Sequence, residues 1–76
     1  PSIKDVNGNI LVRIHSNSIG VSIQNVNGVV LARIDGNNVK DINGKILIAV
    51  DDIKKYFKNS IEKSYLVAFW VAIIKN

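Results

Sequence analysis

The chain repeats one short unit, and this repetition restricts the folds that are open to it. The unit occupies residues 3–14, returns over residues 23–34 and occurs again over residues 39–50. Each copy has an Asn-Gly pair followed by a run rich in Ile, Val and Leu. A unit this short cannot bury its own apolar face, so neighbouring copies must pack together. The sequence therefore predicts a small β-repeat domain.

The Asn-Gly pairs predict a β-hairpin in each copy. Asn-Gly between β-prone runs is the strongest local hairpin signal, because a type I′ turn needs positive φ at both central residues. We therefore expect positive φ at both residues of every pair. The pairs are Asn7-Gly8, Asn27-Gly28 and Asn43-Gly44.

The residues after each turn alternate with a period of two, which is typical of a strand with one buried face. In the first copy Ile10, Val12 and Ile14 lie on one face, and Leu11 and Arg13 lie on the other. The other copies follow the same pattern. The hairpin repeats are thus expected within residues 1–50.

The pattern changes after residue 50. Apolar residues then recur at three- and four-residue spacing, which predicts an amphipathic helix over about residues 51–63, with Asp51 or Asp52 capping its first turn. Residues 65–74 are apolar throughout and too few to span a bilayer as a helix. We interpret them as a buried strand over about residues 65–75.

Together these elements predict one mainly β domain over residues 1–76. It should contain three or four tandem β-hairpin repeats around a shared core, plus one short amphipathic helix before an apolar C-terminal strand. A chain of this size buries only about 60% of the surface that its unfolded chain exposes, which is less than a larger domain buries, so self-association is a common aid to its stability.

Two tandem units and the apolar end of the chain carry a resemblance to a known family. The matching segments are Val26-Asn27-Gly28, Leu31-Ala32-Arg33-Ile34-Asp35-Gly36, Val39-Lys40-Asp41-Ile42-Asn43-Gly44 and residues 66–74. They resemble the bacterial four-fold beta flower domain. The resemblance implies hairpin petals around a shared core and carries no activity with it. This chain differs in its Asn-Gly turns, its three recognisable copies and its inserted helix.

Composition narrows the classes of function. The chain has no cysteine, which excludes a disulfide framework and a zinc-thiolate site. The net charge of +4 invites a polyanionic partner, but four of the ten basic residues lie in one late segment and the rest are scattered. We therefore do not favour nucleic acid as the partner. No signal peptide or transmembrane segment is visible, which favours a cytoplasmic location.

The polar residues of the repeats define no catalytic, cofactor or metal site. His15 stands in a polar turn, and a lone histidine lacks the ligand count of a structural metal site. Asp5, Asn25 and Asp41 recur two positions before the Asn-Gly pairs. We expect them to stabilise the turns, and the alternative is a ring of oxygens for a hard cation such as calcium.

Basic residues supply a candidate anion-binding set. Arg13 and Arg33 recur on the face opposite the apolar stripe, where they could bind a phosphate or carboxylate or pair with the repeat aspartates. The helix face adds further cations. The set comprises Arg13, Arg33, Lys54, Lys55 and Lys58.

The aromatic residues of the terminal run are candidate interface anchors. These residues are Tyr65, Phe69 and Trp70, and they are clustered together. A surface that stacks bases interleaves its aromatic residues with basic ones, and this run does not. We therefore expect a non-enzymatic structural or protein-interaction module that self-associates through this run, with an unknown protein as a further partner. The alternative is an anion- or nucleic-acid-binding module that uses the recurrent arginines and the basic helix face.

Overall fold

The chain forms a six-stranded antiparallel meander within residues 1–75, the part that the computed structural model describes. The strands pair in the order in which they occur along the chain. Each sequence copy is one hairpin, and the hairpins lie side by side in this sheet. The strands are β1 (Ser2–Lys4), β2 (Ile10–Asn17), β3 (Gly20–Gln24), β4 (Val30–Asp35), β5 (Asn38–Lys40) and β6 (Ile46–Ala49).

The helices follow the sheet and cover one of its faces. Helix α1 spans Val50–Lys54, helix α2 spans Lys63–Phe69, and a π-helical segment continues α2 over Trp70–Ile74. Helix α2 contacts β1, β2 and β3, while α1 contacts β6 and α2. No helix within residues 1–75 is long and apolar enough to cross a membrane.

The hairpin turns have a different geometry from the expected one. Gly8, Gly28 and Gly44 have φ of +85°, +82° and +85°, as predicted, but the preceding asparagines keep negative φ. The N–H of Gly8 donates to the carbonyl of Asp5, and the N–H of Asp5 donates to the carbonyl of Asn9. This pattern is a type I turn followed by glycine in the left-handed region, which closes a three-residue loop. The type I′ prediction was therefore wrong at the asparagines.

Each hairpin also carries a register shift just beyond its turn. Lys4 pairs with Ile10 while Ile3 pairs with Val12, so Leu11 is an extra residue in β2. The second and third hairpins have the same shift, with Leu31 as the extra residue in β4 and Leu47 as the extra residue in β6. The predicted alternation holds from Val12 to Ile14 but is interrupted nearer the turn, because a bulge re-aims the side chains around it.

The core lies between the sheet and the helices. Val12, Ile23, Ala32 and Val39 line the covered face of the sheet and are almost completely buried. The helices contribute most of the opposing side chains. These are Val50, Ile53, Leu66, Val67, Ala68, Trp70 and Val71.

The predicted C-terminal strand over residues 65–75 was wrong, because this segment is helical from Lys63 to Ile74. A short apolar run does not reveal whether it is a strand or a buried helix. Here the buried residues Leu66, Val67, Trp70 and Val71 follow helical spacing, but the more exposed positions of the segment, Tyr65, Phe69 and Ile73, are also apolar. The contrast that would reveal a helix is therefore missing from the sequence.

The helix predicted over about residues 51–63 is much shorter than expected. Helix α1 ends at Lys54, and residues 55–62 form turns and irregular structure before α2. Neither Asp51 nor Asp52 caps α1 through its side chain. Asn37 takes this role instead, since its carbonyl accepts from the N–H of Val50 at 2.7 Å and its Oδ1 accepts from the N–H of Asp51 at 3.3 Å.

Candidate functional site

A cleft opens where the turn between β4 and β5 meets the helices. Its volume is about 570 Å³, which is within the usual range of small-molecule sites. Val50, Phe57 and Leu66 give it an apolar lining, and residues 58–61 close one side. The remaining lining residues are Gly36, Asn37, Lys54 and Lys63.

The charged residues that line this cleft are all lysines. Among the described residues that line it there is no Asp or Glu. Lys63 donates from Nζ to the carbonyl of Gly36 at 3.0 Å, which ties α2 to the turn. Lys54 Nζ lies 3.6 Å from Asp51 Oδ1, and both groups are exposed. Lys58 is exposed and makes no ion pair or hydrogen bond within residues 1–75. The cleft therefore has an apolar lining and a positive rim.

The predicted anion-binding residues are divided between two surfaces. Lys54 and Lys58 line the cleft, whereas Lys55 lies outside it with Nζ 3.1 Å from Asp52 Oδ1. Arg13 and Arg33 lie on β2 and β4, which are separated by β3 and hence by about 9.5 Å. Arg13 pairs with Gln24 of β3 and Arg33 with Ser22, so the two are also offset along the strands.

Of the residues that line the cleft, only Lys54 and Lys58 are among the predicted site residues. Lys63 is one of the four basic residues of the late segment, but its place beside Gly36 depends on a contact between residues 27 positions apart. Asn37 belongs to a turn, and its contact with α1 spans 14 positions. Lys54 and Lys58 are four residues apart, which predicts one shared helix face, but α1 ends at Lys54, so the predicted basic helix face was wrong and the two lysines meet at the cleft through the irregular segment that follows.

A second surface lies on the outer side of the C-terminal helical segment. Tyr65, Phe69 and Ile73 follow one another at four-residue spacing, and we call them the outer row. Tyr65 is 37% exposed and Ile73 is 45% exposed, while Phe69 is half-buried. The ring of Phe69 meets that of Phe57 edge-on, with 5.3 Å between centroids. Trp70, in contrast, is 8% exposed and belongs to the core.

The recurrent Asp and Asn residues stabilise the turns, as expected. The Oδ1 atoms of Asp5, Asn25 and Asp41 each accept two backbone N–H groups at 2.9–3.0 Å. These hydrogen bonds, above all the one from the N–H of Asn9, hold the pKa of Asp5 below its ordinary value. Within residues 1–75 no three His, Cys, Asp or Glu side chains are grouped as a metal site would require.

The remaining polar residues of the repeats are placed apart from one another. His15 is exposed on β2 and pairs with Ser22 of β3. Asp35 Oδ2 accepts from Lys40 Nζ at 2.7 Å, and this hydrogen bond and charge hold the pKa of Asp35 below its ordinary value. His15 and Asp35 thus lie on strands that are not neighbours, and Asp35 pairs with Lys40 instead of His15.

Comparisons with protein-family models, with curated proteins and with solved structures found no match. The resemblance to the four-fold beta flower domain therefore stays a prediction.

Proposed function

We propose that this chain is a non-enzymatic structural or protein-interaction module that self-associates. The observation that carries the proposal is the outer row of the C-terminal helix. Tyr65 and Ile73 expose 37% and 45% of their surface and Phe69 is half-buried, so covering this stripe gains a part of the roughly 1.5–3 kcal/mol that full burial of each side chain is worth. A second copy of the same helix, related by a two-fold axis, is the simplest cover for such a stripe.

The geometry of the outer row suits an antiparallel helix pair. Side chains four residues apart form a ridge that packs into the groove of a facing helix. The row from Tyr65 to Ile73 extends over eight residues, or about 12 Å of helix. The row itself is uncharged, so two copies would approach without repulsion between the contacting side chains.

The proposal revises the role of the predicted interface residues. Tyr65 and Phe69 remain interface residues, and Ile73 takes the place of Trp70, whose side chain packs inside the monomer. An interface through the outer rows would place helices between the two sheets. It would therefore not group the hairpins around a shared core, which is the arrangement that the beta flower resemblance implies.

The experiment is sedimentation velocity on the wild type and on the double variant Tyr65→Gln/Ile73→Gln. We expect the wild type to sediment as a dimer or larger oligomer and the double variant to sediment as a folded monomer. Val6→Gln is the matched control, because it removes a fully exposed apolar side chain at a hairpin turn. A monomeric wild type, or a folded double variant with unchanged mass, would overturn the proposal.

A further inference from the structure

The basic cleft has a feature that self-association does not use, namely a positive rim above an apolar lining. We propose that this cleft binds a small amphipathic monoanion, a carboxylate attached to an alkyl chain or aromatic ring. This inference is independent of the self-association proposed above, because the cleft is built within one chain.

The rim matches a single negative charge. Lys58 has no partner within residues 1–75, and Lys54 has a weak and exposed contact with Asp51 at 3.6 Å. Lys63 already donates a hydrogen bond from Nζ to the carbonyl of Gly36. One free ammonium group and one loosely paired one therefore face the ligand. Lysine binds such a group as a point charge, which does not demand the fixed geometry of an arginine fork.

The lining requires an apolar body on the ligand. Val50 and Leu66 belong to the buried core, and Phe57 is partly buried against it. Ile61 adds an exposed apolar side chain at the same cleft. Val50 and Leu66 are each 2% exposed, so Phe57 and Ile61 supply most of the apolar surface that a ligand can reach. An alkyl chain or ring would cover this surface, whereas bare phosphate would leave it in contact with water. Asn59 and Ser60 lie nearby and supply hydrogen-bonding groups for the head of the ligand.

The test is a titration with decanoate, followed by the backbone amide shifts of the ¹⁵N-labelled protein. We expect saturable shifts centred on residues 36–37 and 57–63. Inorganic phosphate, which has charge but no apolar body, should bind at least about tenfold more weakly. The titration stays below the concentration at which decanoate forms micelles.

Matched lysine variants locate the head of the ligand. Lys58→Gln should weaken decanoate binding about fivefold or more, since a charge-assisted contact is lost. Lys55→Gln, on the same basic segment but outside the cleft, should stay within about twofold of the wild type. Equal weakening by both variants would show general charge attraction and would overturn the proposal.

Two substitutions of apolar residues locate the alkyl chain of the ligand. Ile61→Asn, at the cleft, should weaken decanoate binding while leaving the weak binding of phosphate unchanged. Ile73→Asn, at the outer row, should leave decanoate binding unchanged. Amide shifts centred on the sheet face that carries Arg13 and Arg33 would overturn the assignment to the cleft.

A membrane surface also presents anionic head groups joined to alkyl chains, so vesicles form the last arm of the test. Vesicles of phosphatidylglycerol and phosphatidylcholine should not retain the protein at salt concentrations where decanoate still binds. Retention that depends on Lys58 without any binding of free decanoate would overturn the proposal in favour of a lipid surface. Absence of saturable decanoate binding would also overturn it.

Discussion

Single side chains at the turns show how one chemical group fixes the local chain path. Asp5, Asn25 and Asp41 differ in charge, yet the Oδ1 atom of each accepts the same pair of backbone N–H groups. The hydrogen-bond acceptor, rather than the charge, therefore defines the turn. At neutral pH the uncharged amide of Asn25 accepts the same two hydrogen bonds as the carboxylates of Asp5 and Asp41.

This equivalence gives a prediction about acid stability. The pKa of Asp5 is lower in the folded chain than in the unfolded chain, so its contribution to the free energy of unfolding is full above the unfolded pKa. It is lost as pH falls through the folded pKa. Asp5→Asn should keep the turn and decline less steeply in acid, as measured by urea unfolding across this range. Parallel acid profiles for the variant and the wild type would contradict the prediction.

At the scale of elements, the C-terminal helical segment contributes most of the core side chains that pack against the sheet. Trp70 is 8% exposed and belongs to the core that the sheet and the helices share, whereas Ile73 is 45% exposed in the same segment. The two positions therefore separate the inner side of this segment from its outer row.

Truncation of Trp70 tests that assignment. Trp70→Ala should lower the free energy of unfolding by about 3 kcal/mol or more. A domain of this length has roughly 4–11 kcal/mol in total, so the variant should lose between about a quarter and three quarters of its stability. Ile73→Ala, measured in dilute protein where association does not contribute, should cost less than about 1 kcal/mol. Similar losses in the two variants would mean that both side chains are equally buried.

Local signals were sufficient for the sheet and insufficient for the helices. The turn at Asn27-Gly28 depends on neighbours within four residues, so the sequence alone located it, although it did not give the negative φ of the asparagine. For residues 65–74 the sequence predicted a strand instead of a helix. The outer row is apolar like the buried side, so no alternation of apolar and polar residues marks the helical period. The cleft depends on contacts between Gly36 and Lys63, and no local pattern encodes a contact of that separation.

At the scale of the whole molecule, charge and apolar surface are separated. The cleft gathers lysines, while the outer row contains uncharged side chains. The two proposed activities should therefore respond differently to ionic strength.

Salt separates these activities in one series of measurements. Raising NaCl from about 20 mM to about 0.5 M shortens the Debye length from more than 20 Å to about 4 Å. Decanoate binding should weaken several-fold, whereas the oligomer mass should stay constant, because apolar contacts are not screened. Loss of the oligomer over this range would assign self-association to charged residues instead of the outer row.

The hydrogen bond from Val50 to Asn37 has a consequence for the growth of the sheet. In the first two copies the chain continues as a strand past this position, at Ile14 and Ile34, and the next hairpin is added beside it. In the third copy the chain turns into α1 at Val50, so β6 ends after four residues. A short edge strand is a poor template for another strand. The start of α1 thus ends the series of hairpins, which further copies of the repeated sequence unit could otherwise continue.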